Sequence, residues 1–328
     1  MKYSETRIYK LAKESQRLAK GVVPAYSNKF SKKTFTQDQH ISVLCVKTKA
    51  RQKLREMEEL LVNMPRVREA LGLPKAPDHT TMCKALKRLR SKVLAVLLYL
   101  SASVLPSEGK ASIDSTGFDK RHSSKHYVKR CKMTLGSMKT TFMVDTDTLM
   151  ILGVHMTVTR KHDTQIILPL FHDVSKRFVI KVLPADKGYD DRKVRNELRR
   201  FGVRPLIRHR EYGSLDKAHN ARMKREDYGQ RSMSETVNSV LKRKYDDTLH
   251  TKSYWNQCKE ILLMAVVHNI EREMSVLTFI YWRISTEPNS FLSSESSPLL
   301  IITSPIVISP DIISYILLLK TYTFQHLG

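Results

Sequence analysis

Between Pro106 and Gly109 the hydrophobic pattern of this 328-residue chain changes period, and that change limits the folds open to it. Before it, apolar residues recur at helical spacing in Ile41/Leu44/Cys45, Leu54/Met57/Leu60/Leu61 and Val67/Ala70/Leu71. Residues three and four apart share one face of an α-helix. After it, Ala111–Phe118 (ASIDSTGF), Thr140–Val144 and Leu149–Val158 read as strands, the last two joined by a turn at Asp145–Asp147. A helix over Thr164–Val174, a strand over Phe178–Leu183, a helix over Asp191–Phe201 and a strand over Val203–Ile207 follow. With a closing helix over Tyr228–Lys242 the order is β-β-β-α-β-α-β-α. That order implies an α/β protein, a mixed sheet covered by helices, preceded by a small all-helical part.

Charge narrows the partner. The chain carries 57 Lys and Arg against 32 Asp and Glu, a net +25, which favours a polyanion, nucleic acid first. Charge alone does not separate DNA from RNA or an acidic membrane. The helical part offers a surface for it. After Gly72, Pro74 and Pro77, the run DHTTMCKALKRLR restarts a helix with Asp78 or a following Thr as cap. Met82, Ala85, Leu86 and Leu89 would face inward, and Lys84, Lys87, Arg88 and Arg90 outward. Short helices ending in a cationic one resemble a helix-turn-helix module. Lys84, Lys87 and Arg88 would hold phosphates, while Thr80 and Thr81 approach bases. An ordinary solvated basic face explains the same residues. Further Lys and Arg cluster over Lys120–Lys139, in KVRNELRRFGVRPLIRHR and in LKRKY.

Several chemistries are disfavoured. Cys45, Cys83, Cys131 and Cys258 stand far apart without C-x-x-C spacing, so neither a zinc site nor a disulfide framework is expected. The twelve histidines include no H-E-x-x-H pair. No secretory signal is evident, and the apolar run Val93–Leu100 is too short to span a bilayer. A reducing, cytoplasmic, nucleoid-associated setting fits. Trp255 is read as a core residue, with stacking on an unpaired base as the alternative.

Candidate chemistry centres on Tyr228–Lys242, YGQRSMSETVNSVLK. As a continuous helix it places Tyr228, Arg231, Glu235 and Lys242 on one stripe, with Met233, Val237, Val240 and Leu241 opposite. A carboxylate flanked by two cations and a phenol suits phosphate handling. Ser232-x-x-Glu235 also fits a capping box, in which Glu235 would only satisfy a backbone N–H. Acidic residues that could accompany Glu235 stand in or beside the strands. Asp114 sits in the first strand and Asp186 directly follows the fourth, in VLPADKGYD. Asp is depleted in strands, which makes Asp114 the more telling. Asp119, Asp190 and Asp191 are read as supporting or capping residues, Asp145 and Asp147 as turn residues, and Asp246 and Asp247 as helix enders.

IDST, then ADKGYD, then Tyr228-x2-Arg231-x3-Glu235-x6-Lys242 resembles, in order and spacing, the three catalytic blocks of DDE transposases of prokaryotic insertion sequences. LGLPKAPDHTTM is similar to the family's N-terminal region and YWNQCKEILLMAVVHNI to its closing helix, so the resemblance spans roughly residues 35–272. It implies an RNase H-like catalytic domain in which Asp114, Asp186 and Glu235 hold two Mg2+ or Mn2+ ions. It further implies that Tyr228, Arg231 and Lys242 contact the scissile phosphates. The implied substrates are the terminal inverted repeats of an element and target double-stranded DNA, handled by a homodimer in a synaptic complex. On this reading the chain divides into a basic arm (1–35) with at most one short helix, a helix-turn-helix-like DNA-binding domain (36–106), the catalytic domain (107–274) and a tail (275–328).

The tail differs in kind. Its cations are Arg283 and Lys320 and its anions Glu287, Glu295 and Asp311, a net −1 that leaves +26 to the first 274 residues. Asp311 and internal prolines argue against a membrane anchor. A readthrough or frameshifted ending outside the family's usual C-terminus is expected. Two rival functions stand beside transposition: a catalytically inactive or regulatory DNA-binding remnant, and a structure-selective nuclease that cuts without joining.

Overall fold

The computed structural model describes residues 6–120, 137–159 and 161–286, with 280–286 as backbone only. Six helices come first: α1 (Arg7–Lys20), α2 (Gln37–Ala50), α3 (Leu54–Asn63), α4 (Pro65–Ala70), α5 (His79–Arg88) and α6 (Ser91–Ala102). Their apolar stripes are the ones the spacing requires. Ile41, Leu44 and Cys45, then Met57 and Leu61, then Val67 and Leu71 are buried. Gly72, at φ 57°, adopts the left-handed turn that ends this run, and Asp78 caps α5 by accepting the Thr80 N–H at 2.7 Å. The segment expected as a loose arm contains α1, a full helix whose Leu11, Ala12 and Leu18 are buried and which packs against α2.

A six-stranded mixed sheet follows. β1 (Ala111–Lys120), β2 (Ser137–Asp145) and β3 (Ile151–Thr157) form an antiparallel meander. β4 (Val182–Ala185) adds parallel to the free edge of β1, and β5 (Arg204–Ile207) parallel to β4, giving the order β3-β2-β1-β4-β5. The two-residue β6 (Thr248–Leu249) pairs with the end of β1. Parallel neighbours need crossovers. Here α7 (Asp163–Ser175) links β3 to β4, and α8 (Arg192–Arg200) links β4 to β5. Beyond β5 run α9 (Ser214–Ala221), α10 (Arg225–Gly229), α11 (Ser232–Tyr245) and the long α12 (Tyr254–Thr286).

Because side chains alternate along a strand, the two sheet faces belong to different cores. Phe118, Phe142, Val144 and Ile151 join α11, α12 and the N-terminal helices in one cluster. Ile113, Met143, Leu183, Ala185 and Ile207 pack with α7 and α8 in the other. The first hundred residues and the sheet therefore share a core through α12.

Three expectations are corrected. The fourth strand begins at Val182 rather than Phe178, because its partner edge opens only at Gly109, whose carbonyl takes the N–H groups of Lys181 (2.7 Å) and Val182 (3.1 Å). Tyr228–Lys242 is not one helix: Tyr228 lies in α10, the helix is interrupted at Gln230–Arg231, and α11 starts at Ser232. Ser232 Oγ bonds the Gly229 carbonyl and Ser234 Oγ the Arg231 carbonyl, so side chains satisfy groups that the ladder would otherwise use. Trp255 is 68% exposed, not core, because Cys258, Ile261, Leu262 and Ala265 make the inward face of α12. The sequence between 121 and 136, with Cys131 and much of the Lys120–Lys139 basic cluster, lies outside the described residues, as does the tail beyond 286. Cys45, Cys83 and Cys258 are free thiols. Among the described residues no helix is long and apolar enough to cross a membrane.

Candidate active site

The site is built by strand register. Ile113 pairs with Ala185 across the parallel β1/β4 edge. Both side chains enter the core beneath α7 and α8, so the next residue on each strand turns to the opposite face. Those residues are Asp114 and Asp186, on neighbouring chains about 4.8 Å apart in the pairing direction. The antiparallel neighbour of Asp114 is Phe142, on the face that α11 covers. Val237 and Leu241 anchor α11 there, which leaves Glu235, in its first turn, at the rim.

Arg231 joins the pieces. Its Nη1 lies 2.5 Å from Glu235 Oε1 and 3.9 Å from Asp186 Oδ1, so the two carboxylates share one guanidinium. Glu235 and Asp186 keep about half of their side-chain surface exposed, at 50% and 56%. Asp114 lies deeper. Burial pushes its carboxyl above the usual range. Hydrogen bonds from the Ser115 backbone and Asn238 pull it back, and the charges of Glu235 and Asp163 raise it again. Asn238 Nδ2 donates to Asp114 Oδ2 at 2.8 Å.

The remaining expected residues divide. Tyr228 is not an open phenol: the residue is 7% exposed, and its ring centre lies 4.4 Å from the Arg208 guanidinium and 5.6 Å from that of Arg231. Lys242, in the last turn of α11, holds its ammonium 5.8 Å from the centre of the Phe118 ring. Lys84, Lys87 and Arg88 stand exposed on α5, apart from this face. The N-terminus of α5 is already occupied, since Glu58 accepts the His79 N–H at 2.9 Å beside the Asp78 cap. The capping-box role for Glu235 does not occur, because Arg231 rather than Ser232 stands at the N-cap and Glu235 turns to its guanidinium. Asp145 accepts from the Thr148 N–H and hydroxyl within its turn, Asp191 caps α8 through Lys193, and Asp190 pairs with Arg195 at 2.6 Å.

Sequence spacing did not point to Asn238, Arg208 or the polar cluster on the far sheet face. There Ser115 Oγ donates to Asp163 Oδ1 at 2.8 Å, near Tyr189 and Thr141, and Lys139 pairs with Asp163 at 2.7 Å. Asn238 falls three residues after Glu235 on α11, a helical neighbour that the triad pattern could have flagged.

The donor set fits a hard divalent cation. Asp114, Asp186 and Glu235 offer only oxygen, and the Asn238 Oδ1 beside Asp114 is buried without a hydrogen-bond partner. Glu235 and Asp186 already share a cationic group. They do not form a closed cluster by themselves: among the described residues, Glu58, Asp78 and His79 are the one trio whose ligand atoms lie within 4.8 Å of each other. That trio sits at the α3–α5 contact and also serves as a cap.

One aspartate within β1, one just past the end of β4 and a helix-borne glutamate, all on one face of a mixed sheet, define an α/β protein with an acidic site over its inner strands. The family model described as Transposase DDE domain matches residues 106–270, half of the chain, and the chain belongs to that family of DNA transposition proteins. No curated protein matches it. Among solved structures, a piggyBac transposase synaptic complex with hairpin DNA aligns at 9% identity and a TM-score of 0.45, covering 84% of this chain and 74% of that one. A simian T-cell lymphotropic virus intasome in complex with a PP2A regulatory subunit aligns at 12% and 0.31, covering 75% and 80%. A Mos1 transposase paired-end complex aligns at 12% and 0.21, covering 60% and 79%. At these scores the likenesses carry no weight, and the assignment rests on the family match.

Proposed function

We propose that this chain is a DNA transposase that binds the terminal inverted repeats of its element and carries out divalent-metal-dependent strand cleavage and strand transfer. The observation that carries the reading is the register of β1 with β4, which sets Asp114 beside Asp186 on the face that presents Glu235. These three carboxylates would hold Mg2+ or Mn2+, which when bound would activate the attacking oxygen and stabilise the leaving one. The chain's own groups do the rest. Arg231, positioned between Glu235 and Asp186, offers a planar donor to a backbone phosphate, and Lys242 adds charge further along the same helix. Tyr228 holds Arg231 and Arg208 in place by stacking under them. Asn238 orients Asp114.

The helical part over 36–106 is the reading's DNA-binding domain, with Lys84, Lys87 and Arg88 as phosphate contacts, and end pairing would be the work of a homodimer. Removing those three cations should weaken end binding at all sequences alike and lower the salt slope by about 0.9 per lost contact.

The test uses duplex DNA carrying the sequence that flanks the gene. With Mn2+ or Mg2+ the protein should nick or join it, and Glu235→Gln should remove cleavage while leaving binding. Cleavage that survives the substitution would exclude Glu235 from the reaction. Binding without metal-dependent cleavage in the unaltered protein would favour a regulatory DNA-binding remnant instead.

A further inference from the structure

The helix that carries Glu235 is held at its other end by a residue from the first part of the chain. α2 ends at Arg51, whose backbone adopts the left-handed conformation, φ 55° and ψ 27°. Its side chain crosses to α11, where Nε donates to the Lys244 carbonyl at 2.8 Å and Nη2 to the Lys242 carbonyl at 3.4 Å. The Lys242 carbonyl also takes the Asp246 N–H at 3.2 Å, whereas the Lys244 carbonyl is among the last four of the helix, which lack intrahelical donors, and a cation there meets the negative end of the helix dipole. Two residues earlier, Lys49 pairs with Glu271 of α12. The same Glu271 accepts from the Tyr245 hydroxyl at 2.6 Å and lies 3.3 Å from the Lys244 ammonium, at the end of α11. Burial works against the Glu271 charge, but Lys49, Tyr245 and Lys244 hold its carboxyl below the usual range. Three helices distant in sequence thus meet at one charged joint.

The backbone of Arg51 makes the joint informative. A non-glycine residue in this conformation costs roughly 1 kcal/mol, and glycine is the cheaper residue for such a cap. Glycine would serve α2 at least as well. What it would lack is the guanidinium on α11.

We propose that Arg51 is a positioning residue, which fixes the C-terminal end of α11 so that Glu235 and Lys242 keep their places over the Asp114/Asp186 face. The inference rests on the reading of Glu235 as a catalytic carboxylate. Its test is built around Arg51→Gly, the one change that relieves the strained backbone while deleting the contact. In the full chain, free of DNA, amide hydrogen exchange over residues 241–246 should accelerate about tenfold, as expected for losing a charge-assisted bond. Thermal stability should hold or rise. End-DNA binding should stay unchanged, while Mn2+-dependent nicking of the flanking-sequence duplex falls about tenfold. Arg51→Lys, which keeps the charge but not the forked donor, should fall between.

A residue that merely terminates α2 would leave both exchange over 241–246 and nicking unaltered in Arg51→Gly. Unchanged exchange in Arg51→Gly overturns the proposal, and so does faster exchange with unchanged nicking. If the unaltered protein and Glu235→Gln nick equally, the catalytic reading of Glu235 is what fails. The exchange measurement then still decides whether Arg51 holds the helix.

Discussion

Asn238 donates to Asp114 across the face between α11 and β1, Nδ2 to Oδ2 at 2.8 Å, one helical turn beyond Glu235. One helix therefore supplies both a candidate catalytic carboxylate and the donor that orients another. Burial already pushes the Asp114 carboxyl upward, and the Asn238 bond is among the contacts that oppose it. Asn238→Ala removes that opposition, so the Asp114 value rises further. If the reaction needs Asp114 ionised, the acid limb of the nicking profile moves to higher pH. The expected result is a loss of nicking that is greatest at the acid end of the profile and shrinks as pH rises. A uniform loss across the profile would show that Asn238 acts on packing alone.

The environment of Tyr228 separates two roles that its place in the motif left joined. A phosphate contact would need the hydroxyl, whereas a platform for Arg208 and Arg231 needs only the ring. Tyr228→Phe should keep nicking within about twofold. Tyr228→Ala should lower it by about tenfold or more, because both guanidiniums lose a stacking partner worth about 0.5–2 kcal/mol each. Equal losses in the two variants would return the role to the hydroxyl.

Much of this arrangement was legible in the sequence because it depends on periodicity. The three-strand meander, the two crossover helices and the placing of Asp114 in β1 and Asp186 just after β4 follow from alternation and turn residues. What escaped has physical reasons. α9 buries none of its residues, so no apolar stripe announces it. The break between α10 and α11 is set by Ser232 and Ser234 bonding local carbonyls, a choice that helical spacing does not encode. The Arg51 joint spans about 190 residues of sequence, and no local pattern reports a contact of that range.

Gly153 tests the packing of the sheet against its crossover helix. A Cβ at this position of β3 would lie 2.4 Å from Val174 Cγ2 and 3.1 Å from Leu170 Cδ1 on α7. Val174 is β-branched and has no ready rotamer to yield. Gly153→Ala should cost about 1–3 kcal/mol of stability, read as a lower midpoint in denaturant with an unchanged slope. A midpoint within error of the unaltered protein would mean that α7 moves away freely. Since Leu170 and Val174 lie in the second half of α7, the variant should also speed exchange of the hydrogen-bonded amides there.

Glu273 gives the fold a pH dependence that can be read without DNA. It lies buried on α12 facing Glu14 and Arg17 of α1, and its Oε2 has no hydrogen-bond partner. Burial, then repulsion from Glu14, raise its carboxyl from 4.5 to about 7, against a smaller opposing pull from Arg17. The folded state thus holds a proton that the unfolded chain releases. Its contribution is complete below about pH 4.5 and is lost as pH rises through about 7. Glu273→Gln removes this titration, so the melting temperature of the unaltered protein should fall relative to the variant between pH 5 and 8. The difference amounts to about 2–4 °C for each kcal/mol lost. Parallel melting curves for the two proteins over that range would show that Glu273 is ionised throughout and that α1 accommodates its charge.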